Sequence, residues 1–293
     1  VTGGTGFLGT NFYQYLRRKE PNIDVTLFSR RTGGNVRNYE QVKQAVSVSD
    51  LVVHMAAQTH VDFSLHDDLE DQSNFISTNV NGTLNVIHAC RRYYVKMIHI
   101  STSEVYGTNQ RPGSFMNEDH PIQAQAGIYA TTKACADLTC RMTTMTTGAD
   151  IVILRPFNFW GPYQSVEKLI PRFISQALAG KPLTIYGDGK QKRDYVYIED
   201  VAKAVWLAKD LPSGTICNIA TSKNYTVNEI ANMISTDKVY VEARPGEVTE
   251  LLGGFVKFHL LTGWEPKTEL NKTSMKKLFD WYAVNKFIQQ PKL

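Results

Sequence analysis

Thr102, Ser103 and Glu104 follow an apolar run, residues 95–100, within His99-Ile100-Ser101-Thr102-Ser103-Glu104-Val105-Tyr106-Gly107. Such a run reads as a buried strand that delivers hydroxyls and a carboxylate at its carboxyl end, where open α/β sheets bind ligands. Downstream, Tyr129-Ala130-Thr131-Thr132-Lys133 sets a phenol and an ammonium one helical turn apart on the same face. An ammonium there favours the phenolate and lowers the tyrosine pKa, so Tyr129 can serve as a general base near neutral pH. Spacing alone says little. The same Y-x-x-x-K spacing recurs at Tyr15 and Lys19, Tyr39 and Lys43, Tyr186 and Lys190, and Tyr282 and Lys286. Only the copy at 129 follows the strand bearing Thr102 and opens a long predicted helix, so position carries the assignment. The other four read as surface helix or loop.

The elements that hold these groups begin at the amino end. Val1-Thr2-Gly3-Gly4-Thr5-Gly6-Phe7-Leu8-Gly9 is a glycine-rich turn from a strand end into a helix, with Gly3, Gly6 and Gly9 in a G-x-x-G-x-x-G pattern. Glycines let the backbone turn sharply and approach a pyrophosphate, whose charge meets the helix amino terminus. Leu8, Phe12, Tyr15 and Leu16 then share one helical face, Pro21 stops the helix, and residues 23–28 alternate as a second strand. Strand, glycine turn, helix and strand in this order point to a dinucleotide site. An acid after the second strand would hold the free ribose hydroxyl of NAD, and an arginine the extra phosphate of NADP. Ser29-Arg30-Arg31 stands there, which points to NADP.

Strand and helix signals go on alternating: a strand at 51–55, a helix at 74–93, the strand at 95–100, a helix at 129–147 and a strand at 151–154. That rhythm predicts an α/β fold with a Rossmann-type, doubly wound parallel sheet. Between Arg31 and Tyr39 there is no room for the usual crossover helix and third strand. Beyond Pro156, punctuation by Pro162, Pro171, Pro182, Gly187 and Gly189 predicts a smaller, loop-rich lobe. The expected division is 1–157 for the dinucleotide domain and 158–293 for a substrate lobe, some of whose later segments return to the sheet.

The 293 residues carry 42% hydrophobic and 11% aromatic residues and a formal charge of +4. No apolar stretch is long enough to span a bilayer and no basic run marks a nucleic-acid footprint, so neither membrane nor nucleic acid is an expected partner. No signal peptide is visible, though a start at the tail of a strand implies earlier residues. Cys90, Cys135, Cys140 and Cys217 lack metal-ligand spacing, as do the scattered histidines. They read as reduced thiols of a cytoplasmic protein with no metal site.

Further motifs follow in a recognisable order. They are Ala56-Ala57-Gln58-Thr59-His60-Val61-Asp62, Thr78-Asn79-Val80-Asn81-Gly82-Thr83, Arg155-Pro156-Phe157-Asn158 and Gly161-Pro162-Tyr163. Glu167-Lys168-Leu169-Ile170-Pro171 and Tyr186-Gly187-Asp188-Gly189-Lys190-Gln191-Lys192-Arg193-Asp194 continue the series, with Tyr197-Ile198-Glu199-Asp200-Val201 at its end. With the glycine turn, the Thr102 strand and Tyr129/Lys133, they resemble the extended short-chain dehydrogenase/reductases, the NAD(P)-dependent nucleotide-sugar epimerases and dehydratases. The resemblance covers nearly the whole chain, and the tract 167–200 is especially similar to dTDP-glucose 4,6-dehydratases.

The resemblance implies roles. The dinucleotide would lie on Gly3, Gly6, Phe7, Leu8, Gly9, Ser29, Arg30, Ala56, Ala57, Gln58 and Asn79, with Asn79 holding backbone and water. Tyr129 would take the proton of the sugar 4-hydroxyl as hydride passes to the nicotinamide, Thr102 would bond the same oxygen, and Lys133 would tune Tyr129 and hold the nicotinamide ribose. A 4-keto group acidifies the neighbouring C5 hydrogen, and its removal needs a positioned base, for which Glu104 is the candidate. Loss of the 6-hydroxyl as water and return of hydride to C6 would complete a 4,6-dehydration. His60, Asn158, Lys168, Arg193, Asn218 and Arg244 match positions that grip the nucleotide diphosphate sugar, the arginines through bidentate contacts.

Ser103 departs from the dTDP-glucose dehydratase pattern, which has an aspartic acid there as acid for the departing hydroxyl. Serine stands there in GDP-mannose 4,6-dehydratases and UDP-glucuronate decarboxylases, so decarboxylation and 4-epimerisation remain alternatives on the same scaffold. A non-catalytic, dinucleotide-sensing binding protein is the alternative of another class; Thr102, Tyr129 and Lys133 weigh against it. The family also implies a homodimer through helices 74–93 and 129–147.

Overall fold

The computed structural model describes residues 1–59, 68–124, 127–243 and 248–285. Four parallel strands make the central sheet: β1 (Leu51–His54), β2 (Lys96–Ile100), β3 (Ile151–Pro156) and, from far along the chain, Ile216–Ile219, in that spatial order. Val53 stands beside Ile98, and Ile98 beside Val152. Thr2 extends the sheet past β1 through a parallel bridge to His54, and Phe28 lies outside Thr2 through a second bridge. The chain therefore leaves Thr2 in one direction and returns on its other side as β1. That reversal of strand order is where doubly wound sheets hold ligands.

The predicted second strand is reduced to the bridge at Phe28. Its bonds to the amino-terminal residues are Val1 N to Thr26 O (2.8 Å), Phe28 N to Val1 O (2.9 Å) and Gly3 N to Phe28 O (2.9 Å). After it, a short turn at Arg30–Thr32 ends at Gly33, whose φ of 85° suits glycine. Helix α2 (Tyr39–Val46), capped by Asn38, then leads straight to β1, with no crossover helix or third strand between.

Both faces of the sheet are covered. Ile98, Ile100, Val152 and Leu154 pack against Leu8, Phe12 and Leu16 of α1 (Phe7–Lys19) and against Val201 and Val205 of helix Ile198–Leu207. Val52, Met97, Ile151 and Ile153 face the opposite way, onto Val86, Ile87 and Cys140. This alternation is the period-two pattern of strands buried on both sides. The helix expected at 74–93 begins earlier, as α3 (Leu69–Phe75), passes through a π turn at Ile76–Asn81 and continues as α4 (Gly82–Tyr93). The long helix α5 is Ile128–Thr147, closed by Gly148 in the left-handed conformation. Trp160, Phe173, Leu183, Ile185, Ile230, Met275 and Tyr282 build a second core beside two small sheets. Strand 216–219 and helix 198–207 pack with the parallel sheet rather than with this second core.

Candidate active site

The three glycines of the amino-terminal turn are needed for different reasons. Gly3 has φ 67°, and a Cβ there would lie 2.8 Å from Ala56 Cα. A Cβ on Gly9 would come within 2.5 Å of Gly3 O, so both positions serve backbone packing. Gly6 has an ordinary φ of −78°, and a Cβ there would meet only Gly3 O, at 3.1 Å. It leaves a concave space at the start of α1, whose first turn has no side-chain cap. Uncapped N–H groups at a helix amino terminus fit a pyrophosphate. Thr5 Oγ1 donates to Ser29 Oγ (3.0 Å), tying this turn to the segment that carries exposed Arg30.

Beneath the turn runs a buried polar chain. Ala56 N donates to Thr2 Oγ1 (3.2 Å), which lies 2.7 Å from His54 Nδ1. His54 Nε2 lies 2.9 Å from Thr83 Oγ1, which itself donates to Asn79 O (2.6 Å). Since the Thr83 proton is spent on Asn79, His54 donates from Nε2 and accepts at Nδ1, a neutral tautomer. Burial agrees, drawing its pKa down to about 3. The Asn79 side chain, turned inward from the π turn, holds Gln58 at both N (2.7 Å) and O (3.1 Å) and donates to Thr132 Oγ1 on α5 (3.0 Å).

The residues expected to be catalytic converge at the end of β2. Thr102 caps the turn Ser103–Tyr106, its Oγ1 accepting from Glu104 N (3.2 Å), and this fixes the backbone of Glu104 against the hydroxyl. Tyr129, in the first turn of α5, lies near enough to interact with the Thr102 hydroxyl and keeps part of its surface exposed. Burial pushes its phenol up to about 12; the bond to Thr102 pulls it down, and the Glu104 charge adds to the rise. The expected lowering by Lys133 is not met here. Lys133 is 3% exposed, and its ammonium donates to Ile100 O (2.6 Å). Burial lowers the Lys133 pKa to about 8, with Cys140 and Asp137 opposing. Ser103 is buried, whereas Glu104 keeps some exposure.

This arrangement pairs a hydroxyl donor with a phenol, backs them with an ammonium and sets a carboxylate one residue on from a buried serine, at the strand ends beside a dinucleotide cradle. The sequence model of the NAD dependent epimerase/dehydratase family matches residues 1–220. The chain belongs to this family. A dTDP-glucose 4,6-dehydratase of Mycolicibacterium smegmatis is 32% identical over 325 aligned positions, covering 99% of this chain and 95% of the relative. The dTDP-glucose 4,6-dehydratase of Streptomyces venezuelae, solved as a double mutant with NAD bound, has a TM-score of 0.89 at 26% identity, covering 100% of this chain and 98% of that one. The UDP-glucose 4-epimerase of Thermus thermophilus, solved with NAD, has a TM-score of 0.86 at 26% identity, covering 96% and 97% of the two chains. The chain is thus an enzyme of the epimerase/dehydratase family, built on its Rossmann fold.

The substrate positions expected of such an enzyme divide. Asn158 Oδ1 is buried with no partner among the described residues, as an atom reserved for a ligand would be. Lys168 Nζ donates to Thr59 O (2.9 Å), a bond from the second lobe to the tail of β1. Arg193 is partly exposed and donates from Nη1 to Lys192 O (3.0 Å). Asn218 is unsuited to the role. It is fully buried, its Oδ1 accepts from Tyr106 Oη (2.7 Å) and its Nδ2 donates to Met116 O (2.8 Å), so its amide is used inside the fold. His60 and Arg244 lie outside the described residues. Sequence reasoning missed Ser101, Asp137 and Arg155, which meet just behind Thr102. The signal was available: Asp137 continues the four-residue spacing of Tyr129 and Lys133, and Arg155 interrupts an apolar strand.

Proposed function

We propose that the protein is a nucleotide-sugar 4,6-dehydratase, a reading carried by Glu104 beside the Thr102–Tyr129 couple. The relatives' names make dTDP-glucose the first substrate to test. A dinucleotide held at the glycine turn would accept the C4 hydride and supply it again for C6. Burial would keep Tyr129 protonated, so it would take the 4-hydroxyl proton as the phenolate that a positively charged nicotinamide ring beside it would favour, while Thr102 donates to the same oxygen. With the phenol pushed up to about 12, Tyr129 then keeps that proton and stabilises negative charge on the C4 oxygen as the C5 proton leaves. Glu104 removes the C5 proton and hands it to the 6-hydroxyl, which departs as water as the C6–O bond breaks. It must do both, because Ser103 is buried and only 2% exposed, a poor acid in such surroundings. After hydride arrives at C6, C5 takes a proton from Glu104 recharged by solvent, and Tyr129 releases its own, so the protons balance.

Lys133 would hold the nicotinamide ribose, and the uncapped first turn of α1 the pyrophosphate. Ser29 and Arg30, with no carboxylate after the second strand, support a preference for NADP. Gly6, Phe7, Leu8, Ala56 and Ala57 would line the dinucleotide, and Asn158, Lys168 and Arg193 the nucleotide diphosphate. A homodimer is supported by apolar side chains left in water on the two helices concerned: Leu69, Ile76 and Leu84 on one, Leu138, Met142 and Met145 on the other. All four cysteines are unpaired, in keeping with a reducing, cytoplasmic setting.

The deciding experiment is mass spectrometry of dTDP-glucose, GDP-mannose, UDP-glucose, UDP-N-acetylglucosamine and UDP-glucuronate after incubation with enzyme and NAD or NADP. Loss of water from a hexose nucleotide upholds the dehydratase. Loss of carbon dioxide from the glucuronate would move Glu104 to decarboxylation, the reading Ser103 favours because no hydroxyl then departs. An altered sugar of unchanged mass would make the enzyme an epimerase and leave Glu104 without this role.

A further inference from the structure

Tyr129, Lys133 and Asp137 recur every four residues along α5 and share one face. Each meets a different residue at the end of β2. Tyr129 lies beside the Thr102 hydroxyl, Lys133 Nζ donates to Ile100 O (2.6 Å), and Asp137 Oδ2 accepts from Ser101 Oγ (2.7 Å). Three consecutive residues, the last of β2 and the two after it, thus meet three consecutive turns of the helix. Asp137 is the one rung the mechanism above does not use.

Its surroundings are built around it. Asp137 and Arg155 are both fully buried, and the guanidinium grips the carboxylate in fork geometry, Nε to Oδ2 at 2.9 Å and Nη2 to Oδ1 at 2.8 Å. Arg155 Nη1 also donates to Tyr106 Oη (3.0 Å) and to Glu118 O (3.2 Å). Tyr106 is the last residue of the turn that carries Ser103 and Glu104. The ion pair therefore reaches the catalytic turn from both sides, through Ser101 before it and Tyr106 at its end. A buried ion pair is weak support for stability compared with apolar packing. Here it anchors the segment whose placement the chemistry needs.

We propose that Asp137, clamped by Arg155, is a positioning residue that sets Thr102 and Glu104 in register with Tyr129 and supplies the countercharge of Lys133. The proposal rests on the roles given above to Thr102, Glu104, Tyr129 and Lys133. Around Lys133 stand His54 from β1, His99 from β2, and Cys140 and Asp137 from its own helix. Burial keeps His54 and His99 uncharged and pushes the Cys140 thiol up. Of these neighbours Asp137 is the one in an ion pair, with Arg155 behind it. Replacing its carboxylate by an amide removes the anion that favours the ammonium and leaves the Arg155 charge unopposed, so both effects lower the Lys133 pKa.

The test compares Ser101→Ala, Ser101→Thr and Asp137→Asn in the full-length enzyme, with the folded state checked by thermal melting. Ser101→Ala, which removes one rung and no charge, should lower kcat roughly tenfold with KM unchanged, as expected of a small misplacement. Ser101→Thr, which keeps the hydroxyl, should restore most of it. Asp137→Asn should also move the alkaline limb of the kcat profile down by about one pH unit, a shift Ser101→Ala should not produce. Folded variants with wild-type kcat and an unmoved limb would reduce Asp137 to a structural brace and overturn the proposal. If Asp137→Asn does not fold, the Ser101 pair decides: equal kcat for Ala and Thr overturns it. If the wild type turns over no sugar nucleotide, the functional reading fails, and the proposal is read from dinucleotide titrations. There the Asp137→Asn alkaline limb should still fall by about one pH unit, and an unmoved limb refutes it.

Discussion

Replacing Gly3 and Gly6 separately should divide fold stability from dinucleotide binding. At Gly3 an alanine must hold φ 67° and place its Cβ 2.8 Å from the Ala56 backbone, which has no freedom to move aside. The left-handed conformation costs about 1 kcal/mol, and an overpacked contact about 1–3 kcal/mol. With a melting entropy of about 2.1 cal/mol/K per residue over 293 residues, Gly3→Ala should melt about 3–7 °C lower. Gly6 has φ −78°, open to any residue, and its Cβ would meet only Gly3 O at 3.1 Å. Gly6→Ala should therefore melt within about 2 °C of the wild type. Its methyl group would fill the cradle and push a pyrophosphate off the first turn of α1. Losing one charge-assisted hydrogen bond, about 1.5–3 kcal/mol, weakens dinucleotide binding about 10- to 100-fold. Calorimetry without cofactor and a fluorescence titration with NAD and NADP measure the two effects. Wild-type affinity in Gly6→Ala would refute the pyrophosphate assignment, and an unchanged melt in Gly3→Ala would refute the strain argument.

Glu104→Gln should still oxidise the sugar at C4, visible as nicotinamide reduction, but lose water elimination by about 10²–10⁴-fold; equal loss of both steps would mean that Glu104 does not act at C5. Turnover of a hexose nucleotide in heavy water should place one deuterium at C5 and none at C6, read by mass spectrometry and NMR. Lys133→Met should be inactive yet more stable. Its ordinary pKa of 10.5 is lowered to about 8 in the fold, so the unfolded chain binds the extra proton between those values and stability rises with pH across that window. The buried ammonium thus costs about 3 kcal/mol at pH 7, against about 1 kcal/mol for leaving the Ile100 carbonyl unpaired. Denaturant melts should show a gain of about 2 kcal/mol at pH 7 that shrinks towards pH 10. Light scattering should find a dimer at micromolar concentration, and a monomer there would refute the proposed helix interface.

What could be read from the sequence was local. Gly3, Gly6 and Gly9 declare a turn by spacing, residues 95–100 declare a strand by their apolar run, and Tyr129 and Lys133 declare a shared helix face. Properties that depend on what lies across the fold were hidden. The direction of the Tyr129 shift follows from burial and from Glu104, twenty-five positions earlier in sequence, so a helical-spacing argument reached the wrong sign. Asn218 was expected to grip the substrate because it matches a family position that does so. Its partners, Tyr106 and Met116, lie more than a hundred positions away.

The same long-range polar contacts explain how so rigid a site is held in a sheet with both faces buried. One set joins the dinucleotide turn to α5, from Thr2 through His54, Thr83 and Asn79 to Thr132. Thr132 Oγ1 closes onto the carbonyls of Ile128 and Tyr129 (2.8 and 3.0 Å), so the chain ends on the backbone of the proposed base. The other joins the end of β2 to the same helix two turns later, through Ser101, Asp137 and Arg155. Unpaired, any of these groups would cost about 1–3 kcal/mol; satisfied, they allow few alternative placements of α5. Tyr129 is thereby held near both the glycine turn and Thr102, the two surfaces between which, on the proposed function, a sugar carbon would sit for hydride and proton to leave it together.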